Sequence, residues 1–458
     1  MSQTPNLDAA ETPTASIAPM AGRNVHAARR AQLMERIGEN AAALVVATPV
    51  RNRSNDTVYN YRPSSDLWYL TGFEEPEAAA LLLPGHPEHP FVMFVRKRDR
   101  EREIWDGWRA GVEGAKEHLG CDAAFPIDEL NERLPKLFEG RTRLIYALGA
   151  DEEMDRNVIR AVRKVQHLGR KGKRAPRVIE DPLLYLHEMR LVKTPGEIAA
   201  LRRAAEVSAL GHVRGMRCTR PGMREFELQA EIEYIFKKHG ASAPGYESIV
   251  GSGPNACVLH YVENRGRLRE GDLVLVDAGA EVGLYTGDIT RTWPVSGTFS
   301  PEQREIYDLV LRAQMEVIRL VRPGLAWHKL HEHSVQVLTE GLVDLGILEG
   351  PVEKAIEEKT YRKWYMHGTG HWLGIDVHDV GAYAKDGEPG RPLVPGMVFT
   401  VEPGLYFHAD EEGVPDRFRG IGVRIEDDIL VTDEGCDVLS KDAPKEPEEL
   451  EEILGSDA

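Results

Sequence analysis

The sequence has no Cys-x-x-Cys pair, and its four cysteines are widely and irregularly spaced along 458 residues. Such spacing indicates neither a disulfide framework nor a cysteine-rich zinc site, and it is typical of a reducing compartment. With 42% hydrophobic and 29% charged residues, the chain can bury a sizeable core without covalent crosslinks. Its length suggests two or three domains.

Long apolar runs are also missing. No stretch approaches the roughly 18 apolar residues that are needed to cross a bilayer. The first 24 residues, MSQTPNLDAAETPTASIAPMAGRN, contain no apolar core of the kind that secretory signals have. We therefore expect residues 1–24 to form a flexible tail, and we expect the chain to work in the cytoplasm without a membrane partner.

Positive charge is scarce: the chain has 57 basic and 74 acidic residues, and its formal net charge is −17. A field of that sign repels phosphate backbones, so nucleic-acid binding is not expected. The basic run RKGKR (170–174) is interpreted as a solvated linker. A nucleotide loop is not expected either. GSGPNA (251–256) superficially fits a glycine fingerprint, but Pro254 and the residues after it do not open a helix.

The first part of the chain, 25–184, is predicted to be an α/β domain. Short apolar runs alternate there with helical patterns, and the basic, proline-rich stretch near its end marks a candidate boundary. The runs interpreted as strands begin at Ala42, Ala79, Phe91 and Arg143.

The second part, 185–445, is predicted to be a larger α+β domain, followed by an acidic tail at 446–458. Strands and helices alternate loosely with apparent hairpins, which indicates a curved mixed sheet with helices on one side. Helix starts are well marked: in TPGE, Thr194 can cap a helix that has Glu197 at its third position, and SPEQ (300–303) repeats the pattern. A third helix is expected to end at Gly240.

Two aspartates lie on a predicted hairpin. Asp277 ends the apolar run LVLVD, and Asp288 lies in TGDITRT. If the turn is Val282-Gly283, the two carboxylates face each other across the hairpin. Directly opposed like charges destabilise a strand pair, so a positive group is expected between them. A hydrogen-bonded turn with two aspartates is the alternative that this pattern alone leaves open.

Two glutamates also lie on or beside apolar strands. Glu402 follows VFTV directly, and Glu426 lies two residues after Arg424, so these last two side chains share a strand face. Either glutamate, taken alone, could belong to an ordinary buried ion pair.

Together the four carboxylates and His371, in HGTGHWLGIDVHD (367–379), predict a metal site. Two divalent cations would balance four negative charges, and the histidine would supply a neutral nitrogen. The oxygen-rich set favours Mn²⁺, with Zn²⁺ or Co²⁺ as alternatives. The pattern therefore favours a two-metal hydrolase.

The order Asp277, Asp288, His371, Glu402, Glu426 resembles that of the pita-bread metallopeptidases, most closely the aminopeptidase P branch. The stretches HGTGHWLGIDVHD, DAGAEVGLYTGDITRT and EPGLYF carry this resemblance, and NYRPSSDLWYLTGFEEPEAAALLL resembles that branch's N-terminal domain. The resemblance implies a pita-bread (creatinase/aminopeptidase-like) catalytic domain with a smaller α/β N-terminal domain. It also implies removal of the first residue from peptides that have proline second.

The same resemblance implies a role for each metal ligand. Asp277 and Glu402 would each complete the shell of one metal, Asp288 and Glu426 would bridge the two, and His371 would bind one metal only. Glu402 would also be the proton acceptor for the attacking water.

Further residues are implied around the metals. His260, His367 and His378 would contact substrate, with His260 and His378 also acting in catalysis, and Arg424 would lie beside the site. Trp105 resembles a tryptophan that approaches the substrate, although a structural tryptophan in the core remains an equal alternative.

Members of this branch are commonly homo-oligomers, so a dimer or tetramer is expected, with a neighbour's N-terminal domain helping to close the site. The metal motifs do not separate this activity from that of a prolidase, which cleaves Xaa-Pro dipeptides. The N-terminal resemblance and the HGTGHW context favour aminopeptidase P. A non-catalytic binding module of the same fold typically lacks metal ligands, and here all five positions are filled.

Overall fold

The computed structural model of the chain describes residues 23–384, 387–454 and 456. Within these ranges, no helix combines the length and the apolar character that crossing a membrane requires. The chain forms two compact units, which divide between Met189 and Arg190. They are called the N-terminal unit and the C-terminal unit below.

The expected N-terminal tail falls almost wholly outside the described residues, which begin at Arg23. Arg23 and Asn24, the last two residues assigned to that tail, already belong to the first helix.

The N-terminal unit is built on one six-stranded sheet with helices packed against it. Its helices are α1 (Arg23–Ile37), α2 (Ser65–Thr71), α3 (Arg100–Asp106), α4 (Gly111–Leu119), α5 (Leu130–Phe138) and α6 (Glu152–Gln166). Its strands are β1 (Ala41–Val46), β2 (Asn52–Ser54), β3 (Thr57–Val58), β4 (Ala79–Leu82), β5 (Phe91–Val95), β6 (Ala123–Pro126), β7 (Arg143–Ile145) and β8 (Val178–Glu180).

The sheet has the order β6-β5-β4-β1-β7-β8, with β2 and β3 forming a separate hairpin. Its pairs are parallel except where β4 runs against β1 and β5. Strands β4 and β5 are buried along their whole length, which is why they read as unbroken apolar runs. All four predicted strands are present, and the α/β prediction for this unit is confirmed.

The C-terminal unit begins within the short helix α7 (Leu186–Leu191). Its further helices are α8 (Pro195–Cys218), α9 (Glu225–Lys238), α10 (Pro301–Leu320), α11 (His328–Asp344), α12 (Val352–Glu357) and α13 (Pro447–Leu454). Its strands are β9 (Ala243–Pro244), β10 (Ile249–Ser252), β11 (Leu273–Asp277), β12 (Ala280–Val282), β13 (Tyr285–Thr286), β14 (Thr290–Pro294), β15 (Val398–Val401), β16 (Gly404–Phe407), β17 (Ile421–Arg424), β18 (Asp427–Val431) and β19 (Cys436–Val438).

These strands form small sheets of two or three members. Their orders are β10-β11-β14, β13-β12-β9, β15-β18-β19 and β16-β17. Every pair between named strands of the described part of this unit is antiparallel. The predicted α+β class is confirmed, but the expected mixture of parallel and antiparallel pairs is not found among these strands.

Both predicted capping boxes are present. The Thr194 side chain accepts the Glu197 N–H while Glu197 accepts from Thr194 in return, and Ser300 and Gln303 do the same at the start of α10. Helix α9 stops slightly earlier than predicted, with His239 as the cap and Gly240 following at a φ of +92°. A glycine tolerates that conformation without steric cost.

The predicted register of the Asp277 hairpin is wrong. The turn is Gly283-Leu284, since Val282 pairs with Tyr285, and Asp277 therefore faces Thr290 rather than Asp288. Both turn residues have positive φ, 58° and 68°, as the tight two-residue hairpin turn requires. A β-branched valine strongly disfavours that conformation, so Val282 stays in the strand.

The acidic segment after 446 is not a simple tail, because it forms helix α13. Leu450 is fully buried and Ile453 is 6% exposed, and both belong to the large core of the C-terminal unit. The acidic side chain of Glu452 faces solvent on the same helix. Helix α13 therefore contributes to the core of the C-terminal unit.

Helix α8 packs against β12 and β13, the two strands that lie between Asp277 and Asp288 in the chain. His212 on this helix is fully buried, and its Nε2 donates to the carbonyl of Ala278, at 2.9 Å. Its Nδ1 has no hydrogen-bond partner in the described part of the chain. Burial lowers the pKa of His212 to about 4, because a buried imidazolium loses its hydration.

Replacing Leu450 with alanine is expected to destabilise the C-terminal unit by roughly 2–5 kcal/mol, the usual cost of such a cavity. Urea unfolding followed by intrinsic fluorescence measures it. Glu452→Ala on the same helix is the matched control and should change stability by less than about 0.5 kcal/mol. Equal stability of the two variants would show that α13 is not part of the core.

Stability should fall on acidification through His212. Its folded pKa of about 4 lies below the unfolded value near 6.5, so its contribution is complete above about pH 6.5 and is lost as the pH falls towards 4. Between pH 7 and pH 5, the wild type should lose on the order of 1–2 kcal/mol more than His212→Gln, which lacks the titrating ring. Denaturant unfolding at both pH values tests this, and equal losses would contradict it.

Candidate metal centre

A cavity of about 510 Å³ in the C-terminal unit brings the predicted site together. It is lined by nine of the ten residues proposed from the sequence. Trp105 is the exception: it lies on α3 in the N-terminal unit with its side chain 84% exposed, and it does not line this cavity. The nine are Asp277, Asp288, His371, Glu402, Glu426, His260, His367, His378 and Arg424.

The two aspartates meet although they are not directly opposed across the hairpin. Asp277 is the last residue of β11, and Asp288 lies in the irregular link between β13 and β14. The Tyr246 hydroxyl lies 2.6 Å from a carboxylate oxygen of each. Both carboxyl groups are nearly inaccessible to solvent, so this hydroxyl helps to hold two buried acidic groups at one point.

The third acidic group, Glu426, lies in the break between β17 and β18. The Thr290 hydroxyl donates to its Oε2 at 2.6 Å and accepts from Nε of Arg424 at 3.1 Å. The predicted shared face of Arg424 and Glu426 is therefore observed. Nη2 of Arg424 also donates to Oδ2 of Asp277 at 2.6 Å, so the arginine offsets part of the negative charge.

The glycine-rich stretch brings His371 to Glu402. Glu402 follows β15 directly, and the backbone around His371 pairs with that strand: Thr400 N–H donates to the carbonyl of His371 at 2.9 Å, and Glu402 N–H to that of Thr369 at 2.8 Å. A Cβ on Gly370 would lie only 1.9 Å from the Thr400 carbonyl oxygen. Glycine at 370 is thus required for the approach that places His371 in the site.

Nε2 of His371 lies 3.3 Å from Asp288 Oδ2 and 3.6 Å from Glu402 Oε1. Its Nδ1 lies 3.1 Å from the carbonyl of Trp372. A carbonyl can only accept, so Nδ1 carries a proton and Nε2 faces the carboxylates. A backbone acceptor on the far ring nitrogen is the usual support of a metal-binding histidine.

The electrostatics of the cavity favour a cation. Burial and the surrounding carboxylates raise the pKa of Glu426 well above its usual range, and burial with Asp288 and Asp277 raises the pKa of Glu402 to about 7. Burial opposes a charged His371, yet Asp288 and Glu402 outweigh it and raise the pKa of His371 to about 9. Burial is the largest cause for the two glutamates, and neighbouring carboxylates contribute to all three shifts.

The donor set fits divalent metal ions. Ligand atoms of Asp288, His371 and Glu426 all lie within 4.8 Å of one another, while Asp277 and Glu402 line the same cavity. Four carboxylates and one imidazole nitrogen are donors that suit Mn²⁺, Zn²⁺ and Co²⁺.

Three further histidines surround this set. Nε2 of His367 lies 2.8 Å from the Tyr406 hydroxyl, and its Nδ1 lies 2.7 Å from the carbonyl of Gly368. Nδ1 therefore carries the proton, and Tyr406 donates to Nε2. Burial and the charge of Arg424 lower the pKa of His367 to about 3, so its imidazole is neutral at pH 7.

His378 packs edge-on against His371, with ring centroids 4.3 Å apart, and burial together with His371 lowers the pKa of His378. His260 reaches the cavity from the loop between β10 and β11. Both side chains are accessible from solvent, so both can contact a bound substrate.

Three contact residues were missed from the sequence. The correct hairpin register would have placed Thr290 opposite Asp277 and so beside the site. Tyr406 lies in EPGLYF on β16, whose pairing partner β17 carries Arg424, and strand alternation could have indicated it. Tyr246 lies in an irregular segment, and no local pattern indicates that it reaches the carboxylates.

Two family models and a curated relative match this chain. The model of metallopeptidase family M24 matches residues 199–433, and the model of the aminopeptidase P N-terminal domain matches residues 26–146. The Xaa-Pro aminopeptidase of Escherichia coli (strain K12) is 47% identical over 427 residues, which are 93% of this chain and 96% of that protein.

Solved structures of aminopeptidases superpose on nearly the whole of this chain. The aminopeptidase PepP of Pseudomonas aeruginosa matches with a TM-score of 0.92 and 47% identity, over 95% of this chain and 98% of that chain. Aminopeptidase P from E. coli with the inhibitor Pro-Leu matches with a TM-score of 0.90 and 46% identity, over the same shares. The expected fold, a pita-bread domain with a smaller N-terminal domain, is confirmed, and the chain belongs to metallopeptidase family M24.

Proposed function

We propose that this chain is a metal-dependent aminopeptidase that releases the first residue from peptides with proline at the second position. The observation that carries the proposal is the cavity in which four carboxylates and His371 converge beside three further histidines. The relative named Xaa-Pro aminopeptidase, which the chain matches over nearly its full length, supports this substrate class.

The cofactor that we propose is a pair of divalent ions, Mn²⁺ first, with Asp277, Asp288, His371, Glu402 and Glu426 as ligands. When bound, such a pair polarises the scissile carbonyl and makes a water molecule acidic enough to attack near neutral pH. Two dications would compensate the charge of four ionised carboxylates, which the fold itself compensates only in part.

Glu402 is the proposed proton acceptor. Its carboxylate lines the cavity, with Oε1 3.6 Å from Nε2 of His371, where it can accept a proton from the attacking water. His378 and His260 lie at the accessible side of the cavity, where they can donate hydrogen bonds to the oxygen on which negative charge develops. His367, held neutral and aimed by Tyr406, is proposed to orient the substrate.

Proline at the second position imposes its own demands. The Xaa-Pro bond has no N–H, and the ring fixes φ near −65°. A pocket for it must accept a compact apolar ring and provide a proton for the departing nitrogen. Besides its charged groups, the cavity has apolar lining from Ile249, Leu259, Val262 and Val377, which suits such a ring.

A free α-amine on the substrate should lie near the carboxylates, because their combined field attracts a cation. This favours removal of a single residue from an unblocked N-terminus. A prolidase would share the metal ligands, but the E. coli relative, which this chain matches over 96% of that protein, is named an Xaa-Pro aminopeptidase, and this favours the aminopeptidase. A non-catalytic module is disfavoured, since all five ligand positions are filled.

We also propose a homo-oligomer, a dimer or tetramer. Ile104, Trp105 and Trp108 are 77%, 84% and 86% exposed on the N-terminal unit. Contact of Trp105 with substrate is therefore proposed to occur at the cavity of another copy of the chain. A cytoplasmic location is proposed as well, since all four cysteines are free thiols, as is usual in a reducing compartment.

The substrate proposal predicts that Ala-Pro-Ala loses its first alanine, while acetyl-Ala-Pro-Ala is not cleaved. Replacing the second-position proline by alanine should lower kcat/KM by roughly tenfold or more, the scale on which a shaped apolar pocket discriminates. Chromatographic detection of the products in Mn²⁺ measures these three peptides and the dipeptide Ala-Pro. Equal cleavage of Ala-Ala-Ala would indicate a general aminopeptidase, and cleavage restricted to the dipeptide Ala-Pro would indicate a prolidase.

The metal proposal predicts that Asp288→Asn, which keeps the shape of the side chain but removes its charge, no longer retains metal after dialysis. Its kcat/KM should fall more than about a hundredfold, beyond the usual effect of outer-shell changes. Asp433→Asn, at an exposed aspartate, is the matched control and should keep both properties. Metal content is read by inductively coupled plasma mass spectrometry. An Asp288→Asn protein that is fully metallated and active would refute the ligand assignment.

A further inference from the structure

The loop between β10 and β11 carries His260 but has little regular structure. Leu259, His260 and Val262 from this loop line the cavity. Apart from the short 3₁₀ turn Gly253–Cys257, the loop forms no helix or strand before β11. Its shape at the cavity must therefore be fixed by contacts with the rest of the unit.

A single buried carboxylate supplies many of these contacts. Glu225, the first residue of α9, is fully buried. Its Oε1 accepts from the N–H of Ser252 at 2.9 Å and from Nδ2 of Asn255 at 2.8 Å. Its Oε2 accepts from the hydroxyl of Tyr261 at 2.8 Å and from the N–H of Gly266. Four donors on two oxygens match the lone-pair sites of an ionised carboxylate.

The four donors lie on both sides of His260 in the chain, so the carboxylate ties the two arms of the loop together. A Cβ on Gly266 would lie 2.6 Å from Glu225 Oε1 and 2.7 Å from Asn255 Nδ2. A side chain at this position would therefore displace the Glu225 carboxylate and the Asn255 amide from their present contacts. The N–H of Glu225 also donates to the Gly266 carbonyl at 3.1 Å, which fixes that arm against the start of the helix.

The same face of α9 continues the support at intervals of four residues, which place side chains above one another on a helix. Gln229 accepts from Nδ2 of Asn264 at 2.9 Å, and its own amide donates to Glu233 at 2.8 Å. Glu233 also accepts from the Ser248 hydroxyl at 2.9 Å. Glu225, Gln229 and Glu233 thus form a polar ladder on the helix, and Glu225 and Gln229 hold the loop.

We propose that Glu225 is a positioning residue that sets the place of His260 at the cavity. It touches none of the five metal ligands, and the loop that it holds contains none of them, so its effect reaches the reaction through the loop. This role rests on the proposed function, since it assigns to His260 a contact with the substrate.

Glu225→Gln tests the proposal. An NH₂ group then replaces one carboxylate oxygen, and because this group is itself a hydrogen-bond donor, it cannot accept from the two loop donors that it faces. The expected result is a loss in kcat/KM of roughly 10–100-fold, comparable to other losses of supporting hydrogen bonds at active sites, with unchanged metal content. Glu227→Gln is the matched control. Glu227 occupies the third position of the same helix, where it accepts the Arg224 N–H at 2.6 Å, and glutamine fills that capping role equally well. Equal losses in both variants, or loss of metal from Glu225→Gln, would overturn the proposal.

A double-mutant cycle separates positioning from general damage. If Glu225 acts through His260, then Glu225→Gln should cost less than about threefold in a His260→Ala background, because residues that act as one unit are not additive. A full additive loss in that background would overturn the proposal. Tyr261→Phe removes one of the four donors and keeps the ring. It should lower kcat/KM less than Glu225→Gln does, with the same non-additivity towards His260→Ala. This variant replaces Glu225→Gln in the test if Glu225→Gln does not fold.

Hydrogen exchange of the intact protein gives a readout that does not depend on activity. The amides of Ser252 and Gly266 should exchange faster in Glu225→Gln than in the wild type, while those of the middle of β11 should not change. If the wild type cleaves no Xaa-Pro peptide, the proposed function fails. Faster exchange of the Ser252 and Gly266 amides in Glu225→Gln would still show that Glu225 holds the loop. Unchanged exchange at both amides would overturn it.

Discussion

The mutual repulsion of four carboxylates, three of them buried, is the constraint on which this structure depends. Asp277, Asp288 and Glu426 are 8%, 4% and 2% exposed, and two unit charges 4 Å apart interact by about 4 kcal/mol at an effective dielectric constant near 20. The ion pair of Arg424 with Asp277 and the contact of His371 with Asp288 offset only part of that repulsion. A site of this kind becomes stable and functional when cations complete it.

The fold withstands the repulsion because it fixes each acidic group through a different piece of backbone. The groups come from strand ends and strand breaks, whose positions are set by ladders of hydrogen bonds and by apolar neighbours. Neutral donors then hold the oxygens: Tyr246 lies at both aspartates, and Thr290 lies at Glu426. Because hydroxyls add no charge, they orient the carboxylates and leave the negative field that metal binding and a cationic substrate amine require.

Local rules explain what was predictable from the sequence. The capping boxes at Thr194 and Ser300 and the buried strands follow from neighbouring residues alone, and the five proposed ligands follow from specific motifs. The predicted turn Val282-Gly283 is wrong, because both turn positions need a positive φ that a β-branched valine strongly disfavours. Tyr246 and Glu225 could not be found this way. Their partners are distant in sequence, so only the tertiary arrangement reveals what they hold.

The most direct test of the proposed dinuclear centre is anomalous X-ray diffraction from crystals of the chain loaded with Mn²⁺, recorded near the manganese edge. Two bound ions should give two anomalous peaks about 3.5–4 Å apart, the separation typical of two-metal sites. Both should lie among the carboxylates of Asp277, Asp288, Glu402 and Glu426, with Nε2 of His371 at one of them. A single peak, or peaks outside this cavity, would contradict it.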